Sequence, residues 1–284
     1  MSVINTNVSA TLTSNALAKN DRAMSQSMER LSTGQRINSA SDDAAGLAIS
    51  SKMTSQIRGL DQAVRNGNDA ISMVQTADGA LVEVTNMLQR MRELAVQSAS
   101  DTNTSTDRTA LNTEFTALTT QIEATMDNTQ WNGQDLLDGD SASLSFQVGA
   151  NASQTITVTT LADMQTAGTA FSSLANTSSQ TTLATLVITD GTKAANSIKG
   201  IDSALAVVNT KRAELGSTVN RLEYAVDNLA NVSQNASASR SRVQDANYAT
   251  ESTELARTQI IQQAGTAMLA QANQQSQSVL ALLK

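Results

Sequence analysis

The chain has no cysteine and no histidine among its 284 residues. Without these side chains it cannot form disulfides, imidazole or thiolate zinc sites, Cys nucleophiles or Ser-His-Asp triads. The sequence offers no replacement, because it contains no Gly-rich phosphate loop and its adjacent carboxylates are typical of helix starts and turns. We therefore predict that the protein is not an enzyme and that it needs no metal or cofactor.

The chain also lacks proline and is poor in aromatic residues. At about 5% average usage a chain of this length would contain roughly 14 prolines, so their absence favours long, uninterrupted helices. Only six Phe, Trp and Tyr side chains are present, against 42 alanines. We therefore expect helices packed closely through small side chains rather than a core built on large rings.

Basic clusters and long apolar runs are absent as well. The net charge is −7, and residues 97–196 hold ten acids and two bases, which is −8 and leaves +1 for the two ends together. Phosphate neutralisation requires grouped Lys and Arg, so we predict no nucleic-acid binding.

The longest apolar run is six residues, at 44–49, whereas a bilayer span needs about 18, so no membrane insertion is expected. The first 18 residues do not have the pattern of a cleaved signal peptide, so the chain either stays inside or leaves by another route.

Apolar residues recur at alternating steps of three and four over two long stretches, residues 60–95 and 198–229. This heptad spacing is typical of long amphipathic helices that pack against a partner helix. Three positions break the repeat. Gly67 and Asp78 interrupt the first stretch, and Arg212 is a charged residue at an apolar position of the second.

A shorter helix is predicted over residues 111–122, entered through a turn at 101–106. Both ends of the chain are also helical in pattern, but neither apolar stripe is broad enough to stabilise a lone helix. We expect the ends to be poorly ordered in a monomer and to fold against each other or against other subunits. Two ordinary surface helices of a closed bundle are the alternative.

Between the two long stretches the apolar pattern changes to period two. Apolar residues alternate over 144–148 and 156–158 around a Gly/Asn loop, which predicts a β-hairpin near 143–158. The triplet Trp131-Asn132-Gly133 is a turn signal just before it. Residues 159–196 are rich in Thr, Ser and Ala, which indicates a short variable excursion.

Several short motifs stand in a fixed order along the chain. They are SVINTN at 2–7, ERLSTGQRINSA at 29–40, DDAAGLAI at 42–49, RELAVQ at 92–97, WNG at 131–133, FQVGAN at 146–151, IIQQAG at 260–265, AQANQ at 270–274 and LALL at 280–283. With these motifs the sequence resembles bacterial flagellin over most of its length. The resemblance is to a short form, because only a brief segment stands where many flagellins insert large outer domains.

The resemblance implies a mainly α fold: a long, coiled-coil-like helical bundle rod with a small β-hairpin region, plus N- and C-terminal helices that pair on assembly. Residues 1–40 and 245–284 would form the terminal helical domain that lines the inner filament tube. Residues 41–158 and 197–244 would form the rod-like bundle domain, and 159–196 the variable excursion.

The function implied by the resemblance is that of a structural subunit. It would be secreted and polymerise into the extracellular flagellar filament for swimming motility. The partners implied are other copies of the chain, a flagellar export chaperone, and the filament cap and hook-junction proteins. Two alternatives are a hook-filament junction protein and a monomeric secreted ligand of host innate receptors.

Apolar and small residues of the two end helices are the predicted assembly interface, since they permit close approach of helices from neighbouring subunits. The residues are Leu17, Met24, Met28, Leu31, Ile261, Ala264, Met268, Ala272, Val279 and Leu283.

A polar stretch opposite the apolar repeat is a candidate host-receptor patch. In flagellins that resemble this chain the matching stretch contacts an extracellular Toll-like receptor of vertebrate hosts, and a solvated helix face is the alternative. The patch comprises Gln89, Arg90, Glu93, Leu94, Gln97 and Glu114.

The sequence Ser41-Asp42-Asp43 precedes an Ala-rich run. Short oxygen side chains there predict a helix N-cap, which contributes about 1 kcal/mol and is favoured by the helix dipole. The resemblance also suggests a subunit contact at this position, and the two roles are compatible.

Overall fold

The computed structural model describes residues 6–137, 143–158 and 185–281. Leu283 and residues 159–184 of the predicted excursion lie outside the described residues. Within the described ranges no helix is both long and apolar enough to cross a membrane.

The chain divides into two compact units. One comprises Met1–Ile57 with Gln234–Lys284, and the other comprises Arg58–Ser233. The first unit contains the predicted terminal domain and also takes in the start of the helix that follows residue 43.

Five helices and four short strands make up the described elements. In chain order they are α1 (Val8–Thr33), α2 (Ala44–Ala99), α3 (Ser105–Asp127), β1 (Gln130–Trp131), β2 (Gln134–Asp135), β3 (Leu144–Gln147), β4 (Thr155–Val158), α4 (Gly191–Gln244) and α5 (Tyr248–Ala281). The absence of proline is consistent with the 56 residues of α2 and the 54 of α4.

Each helix begins beside a side chain that accepts a hydrogen bond from a free amide of the first turn. The five residues are Asn7, Asp43, Thr104, Asp190 and Asn247. Asp43 Oδ1 accepts from the Gly46 N–H at 2.8 Å, so the predicted cap before the Ala-rich run is present. At the other end of α1, Gly34 has φ 71° and donates to the Arg30 carbonyl at 2.9 Å.

The core of the second unit is the seam between α2, α3 and α4. All its buried side chains named here except Met126 lie in the two heptad stretches or in the short helix predicted over residues 111–122. Leu81, Val84, Leu88, Met91, Phe115, Ile122, Met126, Ile201, Val208 and Leu215 are all 1% exposed or less. Apolar burial on this scale supplies the main stabilisation of such a helix seam.

The first part of the α2 seam differs from the prediction. Val64 and Ile71 are only half-buried, and small residues carry the buried face instead, with Ala63 at 2% and Ala70 at 0% exposed. Gly67 is also buried, and a Cβ placed on it would lie 2.5 Å from Cγ2 of Val226 on α4. Gly67 is therefore a position where α4 approaches closely, and its description as an interruption is wrong.

Two antiparallel hairpins follow α3 in the chain. The predicted hairpin pairs β3 with β4, and Phe146 stands opposite Ile156. It contacts α2 at two points: the Gln147 carbonyl accepts from Asn66 Nδ2 at 3.2 Å, and Ala150 packs where Gly59 has no side chain. The hairpin of β1 and β2 is an additional element, since only a turn was predicted at Trp131-Asn132-Gly133.

The second long helix begins earlier than predicted. The sequence assigned residues up to 196 to the excursion, but α4 begins at Gly191 because Asp190 accepts from the Ala194 N–H through its carbonyl and from the Thr192 N–H through its side chain. Ile188, just before it, is fully buried in the core. Residues 191–196 therefore belong to the helix.

Candidate functional site

The two end helices pack against each other in antiparallel orientation. Several polar contacts fix their register. Among them, Asn7 Nδ2 donates to the Ala272 carbonyl at 3.1 Å, Asn20 Nδ2 to the Thr258 carbonyl at 2.8 Å, and Arg30 Nη1 to Glu251 Oε1 at 3.1 Å. The start of α1 thus meets the distal part of α5, and the end of α1 meets its first turn. We call α1 and α5 together the terminal pair.

The buried side chains of the terminal pair are polar. Among its described residues, those classed as buried are Ser27 on α1 and Glu251 and Thr258 on α5. Leu17 is only half-buried, and its Cδ1 lies 2.7 Å from where a Cβ on Gly265 would be. A helix pair without a buried apolar seam gains little from the hydrophobic effect, which is the main source of helix stability in proteins.

Large apolar side chains of the terminal pair lie instead on its outer surface. They are Val8 (60% exposed), Leu12 (72%), Met28 (55%), Ile260 (66%), Ile261 (41%) and Met268 (63%). Six large exposed apolar side chains on one pair of helices are more than scattered surface residues require, which is typical of a surface that another protein covers.

The structure sorts the predicted assembly residues into two sets. Met28, Ile261, Ala264 and Met268 are exposed, whereas Leu17, Met24, Leu31 and Ala272 are half-buried. The side chain of Val279 and all of Leu283 lie outside the described part. Met28 is 55% exposed although the helical spacing places it on the same side of α1 as Leu17, Met24 and Leu31, so it lies at the edge of that stripe. Val8, Leu12 and Ile260 are further exposed apolar residues of the terminal pair that were not among the predicted interface residues.

The loop between α1 and α2 is held by one carboxylate. Asp42 Oδ2 accepts hydrogen bonds from the Asn38 and Ser39 amides at 3.2 and 3.0 Å, and Oδ1 accepts from Gln26 Nε2 of α1 at 3.0 Å. The backbone donors, with Ser39 first, lower the pKa of Asp42. Asp42 therefore ties the loop to α1, while its neighbour Asp43 caps α2.

Arg90 lies at the centre of the second candidate surface. Its guanidinium donates to Glu93 Oε2 on the same helix and to Glu114 Oε1 on α3, both at 2.9 Å. These hydrogen bonds, the one to Glu93 first, raise the pKa of Arg90. Gln89 and Gln97 are also exposed, so five of the six predicted patch residues lie at the surface.

Leu94 is the exception within this patch. It is 1% exposed and belongs to the core of the second unit, so its place in the predicted patch is wrong for the folded chain. Leu94 lies one turn after both exposed Arg90 and buried Met91, at the border between the exposed face and the seam, and the packing of the second unit places it on the buried side. Arg92, exposed on α2, pairs separately with Asp202 of α4 at 2.7 Å.

The chain shows extensive similarity to known proteins. The sequence model of the bacterial flagellin N-terminal helical region matches residues 4–142, and that of the bacterial flagellin C-terminal helical region matches residues 198–283. A flagellin of Halalkalibacterium halodurans is 48% identical over 283 residues, covering 99% of this chain and 100% of the relative. The chain belongs to the bacterial flagellin family.

Further relatives agree with this assignment. The flagellin of Bacillus subtilis is 43% identical, with 99% of each chain covered. The crystal structure of Bacillus cereus flagellin is 32% identical, covers 58% of this chain and 88% of its own, and has a TM-score of 0.48. The two family models and the two flagellins that align over nearly the whole chain show that it is a flagellin of the short form, a structural subunit of the flagellar filament for motility and not an enzyme. Within the described residues no cluster of acidic side chains is arranged to hold a metal ion.

Proposed function

We propose that this flagellin polymerises through the outer surface of the terminal pair, so that each copy covers apolar side chains of its neighbours. The proposal rests on the distribution of side chains in the pair, where polar side chains are buried and large apolar ones are exposed. Its buried residues include Ser27 and Thr258, whereas Leu12 and Met268 are mostly exposed. A lone helix pair with this distribution is marginal in water, and contacts with other copies would supply the missing apolar burial.

A second copy of the same chain is the occupant that the exposed surface fits best. The exposed apolar residues lie on both helices of the pair, so a neighbour can bury its own α1 residues against the α5 residues of this chain. Such a contact joins two different surfaces of identical subunits, and when it does not close into a ring it produces a helical polymer.

Before assembly, the same residues need protection. We infer that a flagellar export chaperone covers the exposed side of α5, where Ile260 is 66% exposed, until the chain is secreted. The filament cap and the hook-junction proteins would then meet the terminal pair at the two ends of the growing polymer. An unfolded or weakly folded terminal pair also suits passage through a narrow export channel, and the absence of proline avoids slow isomerisation afterwards.

Seeded polymerisation tests the assembly surface. Purified Met268→Asp monomers should fail to extend filament seeds, because burying a carboxylate in an apolar contact is costly at every subunit. Their circular dichroism and melting temperature should match the wild type, since Met268 is 63% exposed in the monomer.

Two further variants are the controls for this experiment. Thr116→Asp places a charge at an exposed polar position of α3, outside the terminal pair, and it should polymerise normally. Leu215→Asp places one in the core of the second unit, where Leu215 is 1% exposed, and should unfold the monomer itself. Filaments of normal length from Met268→Asp would contradict the proposal.

Recognition by a vertebrate Toll-like receptor is a second proposed function, favoured by the arrangement around Arg90. The guanidinium is held between Glu93 and Glu114 while its side chain stays 51% exposed. A pre-ordered Arg at a surface needs little further ordering to enter an interface. We propose that Arg90 and Glu114 form the centre of the contact in the monomer and that assembly covers the same surface.

A further inference from the structure

The sequence contains the dipeptide Asn-Gly twice, at Asn66-Gly67 and at Asn132-Gly133. Asn followed by Gly is the dipeptide in which the backbone nitrogen most easily reaches the preceding side-chain carbonyl, because glycine has no Cβ to obstruct it. Two copies of one reactive dipeptide in a single chain allow the effect of the fold to be separated from the effect of local sequence.

Asn132-Gly133 forms the two-residue loop between β1 and β2, where Trp131 pairs with Gln134. Their φ angles are 51° and 77°, both in the left-handed region, as in a type I′ turn. Both residues are exposed, and a Cβ on Gly133 would meet no atom within 4 Å. The loop is therefore open to water, and the space around Gly133, whose nitrogen the Asn132 side chain must approach, is unobstructed.

Asn66-Gly67 lies in the interior of α2. There the Gly67 N–H takes part in the helical hydrogen-bond ladder, and Gly67 itself is buried against α4. The Asn66 side chain is held at both ends, because its Oδ1 accepts from Gln62 Nε2 at 2.9 Å and its Nδ2 donates to the Gln147 carbonyl at 3.2 Å. Ring closure at this site requires opening of the helix.

We propose that Asn132 is a site of spontaneous deamidation in the folded protein and that the fold protects Asn66 from the same reaction. The Gly133 backbone nitrogen forms a bond to Cγ of Asn132 and loses its proton, while the Cγ–Nδ2 bond breaks and the side-chain nitrogen leaves as ammonia. Water then opens the cyclic imide at either carbonyl, which gives aspartate or isoaspartate. The balance is one water consumed and one ammonia released, without an oxidant or a cofactor.

Deamidation would alter the β1–β2 loop in two ways. It adds a negative charge at the tip, and the isoaspartate product inserts a methylene into the main chain of a loop that has only two residues. The strand that follows leads directly to Leu136 and Leu137, which are 0% and 1% exposed. Older chains would therefore differ from newly made ones in the charge and main-chain length of a surface loop next to the core.

The test compares the two sites in one incubation. The full-length protein is held in mildly alkaline buffer, and samples are digested over time and analysed by mass spectrometry for aspartate and isoaspartate at residues 132 and 66. A parallel incubation in concentrated urea removes the fold. We expect Asn132 to react at least about tenfold faster than Asn66 in the folded protein, because helix opening must precede reaction at Asn66. In urea the two rates should be similar.

Equal rates at the two sites in the folded chain would overturn the proposal, as would faster reaction at Asn66. Absence of reaction at both sites in the folded chain, with reaction at both in urea, would also overturn it, because the turn would then be protective. The matched variant is Asn132→Gln, whose longer side chain must close a larger and less favourable ring. It should abolish the signal at residue 132, leave the rate at Asn66 unchanged, and retain the helical circular dichroism of the wild type.

Discussion

Arg212 donates from Nε to Oδ1 of Asp78 at 2.8 Å, so the charged residue that interrupts the apolar repeat of α4 faces the one that interrupts α2. This hydrogen bond to the Asp78 carboxylate raises the pKa of Arg212. Apolar heptads alone allow two helices to shift by a repeat, whereas a polar pair within the seam favours one register. The two apparent defects therefore form a single contact that specifies how α2 and α4 align.

A double-mutant cycle should detect this contact. Asp78→Ala, Arg212→Ala and the double variant are unfolded in urea, and the coupling free energy is obtained from their three differences from the wild type. Both side chains retain about a third of their surface, 40% and 34%, so we expect a coupling of about 0.5–1 kcal/mol. Additive effects of the two single changes would show that the pair does not contribute to the alignment.

Two glycines of α2 should respond to alanine in opposite directions. Gly67→Ala is expected to destabilise the second unit by about 1–2 kcal/mol, because the new Cβ would lie 2.5 Å from Val226 Cγ2 and the overlap exceeds the gain in helix propensity. Gly79→Ala is the matched control: it is exposed, nothing lies within 4 Å of its Cβ position, and it should stabilise by about 0.5–1 kcal/mol.

The measurement is the urea midpoint of each variant, with Val226→Ala added to Gly67→Ala. Removing the valine methyl groups should recover part of the loss, which distinguishes a steric effect from a general weakening of the helix. Stabilisation by Gly67→Ala would contradict the close approach of α4 at this position.

Much of the second unit was predictable because it is stabilised by apolar side chains that are buried at regular intervals along the chain. The three-and-four spacing of large apolar residues located the seam, and alternation located the β3–β4 hairpin, since both patterns follow from the geometry of the element. The small residues of the seam were not found. Ala63 and Ala70 have no strong sequence signal, and their burial depends on how near the other helix comes, which is a property of the packed pair.

The candidate sites were less predictable than the seam. Leu94 and Arg90 are both on α2 within four residues of each other, and the sequence alone did not separate the buried residue from the exposed one because the seam is broad there. The partner of each interrupting charge, Asp78 or Arg212, lies 134 residues away in the sequence. Such a pairing follows only when the register of the two long helices is known.

Limited proteolysis of the monomer should remove the terminal pair before it cuts the second unit. The pair has no buried apolar seam among its described residues, so local opening costs little free energy there. Mild protease treatment followed by mass spectrometry should show cleavage within roughly the first 40 and last 40 residues, while the segment from Leu205 to Leu229 persists. In filaments, the terminal pair should resist cleavage. Equal protease resistance of the terminal pair and the second unit in a verified monomer would contradict the proposal that the pair becomes ordered on assembly.

Acid should remove the contribution of Asp42 to the stability of the α1–α2 loop. The backbone donors Ser39 and Asn38 lower its folded pKa below the ordinary 3.8. A depressed carboxylate pKa contributes stability that is complete above the unfolded value and is lost as pH falls through the folded value. Asp42→Asn should therefore lower the melting temperature near neutral pH, and the difference from wild type should shrink as the pH drops below 3.8.

Asp69→Asn, which changes an exposed carboxylate of α2, is the control for this measurement and should have a small effect throughout the pH range. A difference between wild type and Asp42→Asn that stays constant into strong acid would show that the ionised carboxylate is not what holds the loop.

Arg90→Ala should weaken receptor signalling by the monomer without changing its melting temperature. The side chain is 51% exposed and its partners Glu93 and Glu114 are exposed as well, so truncation leaves neither a cavity nor a buried unpaired charge. An Arg that becomes desolvated in an interface is often a hot spot, and its loss lowers affinity by roughly thirtyfold.

Arg92→Ala is the matched control, because Arg92 is similarly exposed on the same helix but pairs with Asp202 of α4. Dose-response curves of reporter cells are compared for the wild type and both variants, alongside their melting temperatures. A shift for Arg90→Ala alone supports the patch, whereas equal shifts for both variants indicate a general effect of charge. Overlapping curves for wild type and Arg90→Ala would leave this surface as a solvated helix face, because an arginine at the centre of a receptor contact cannot be removed without loss of affinity.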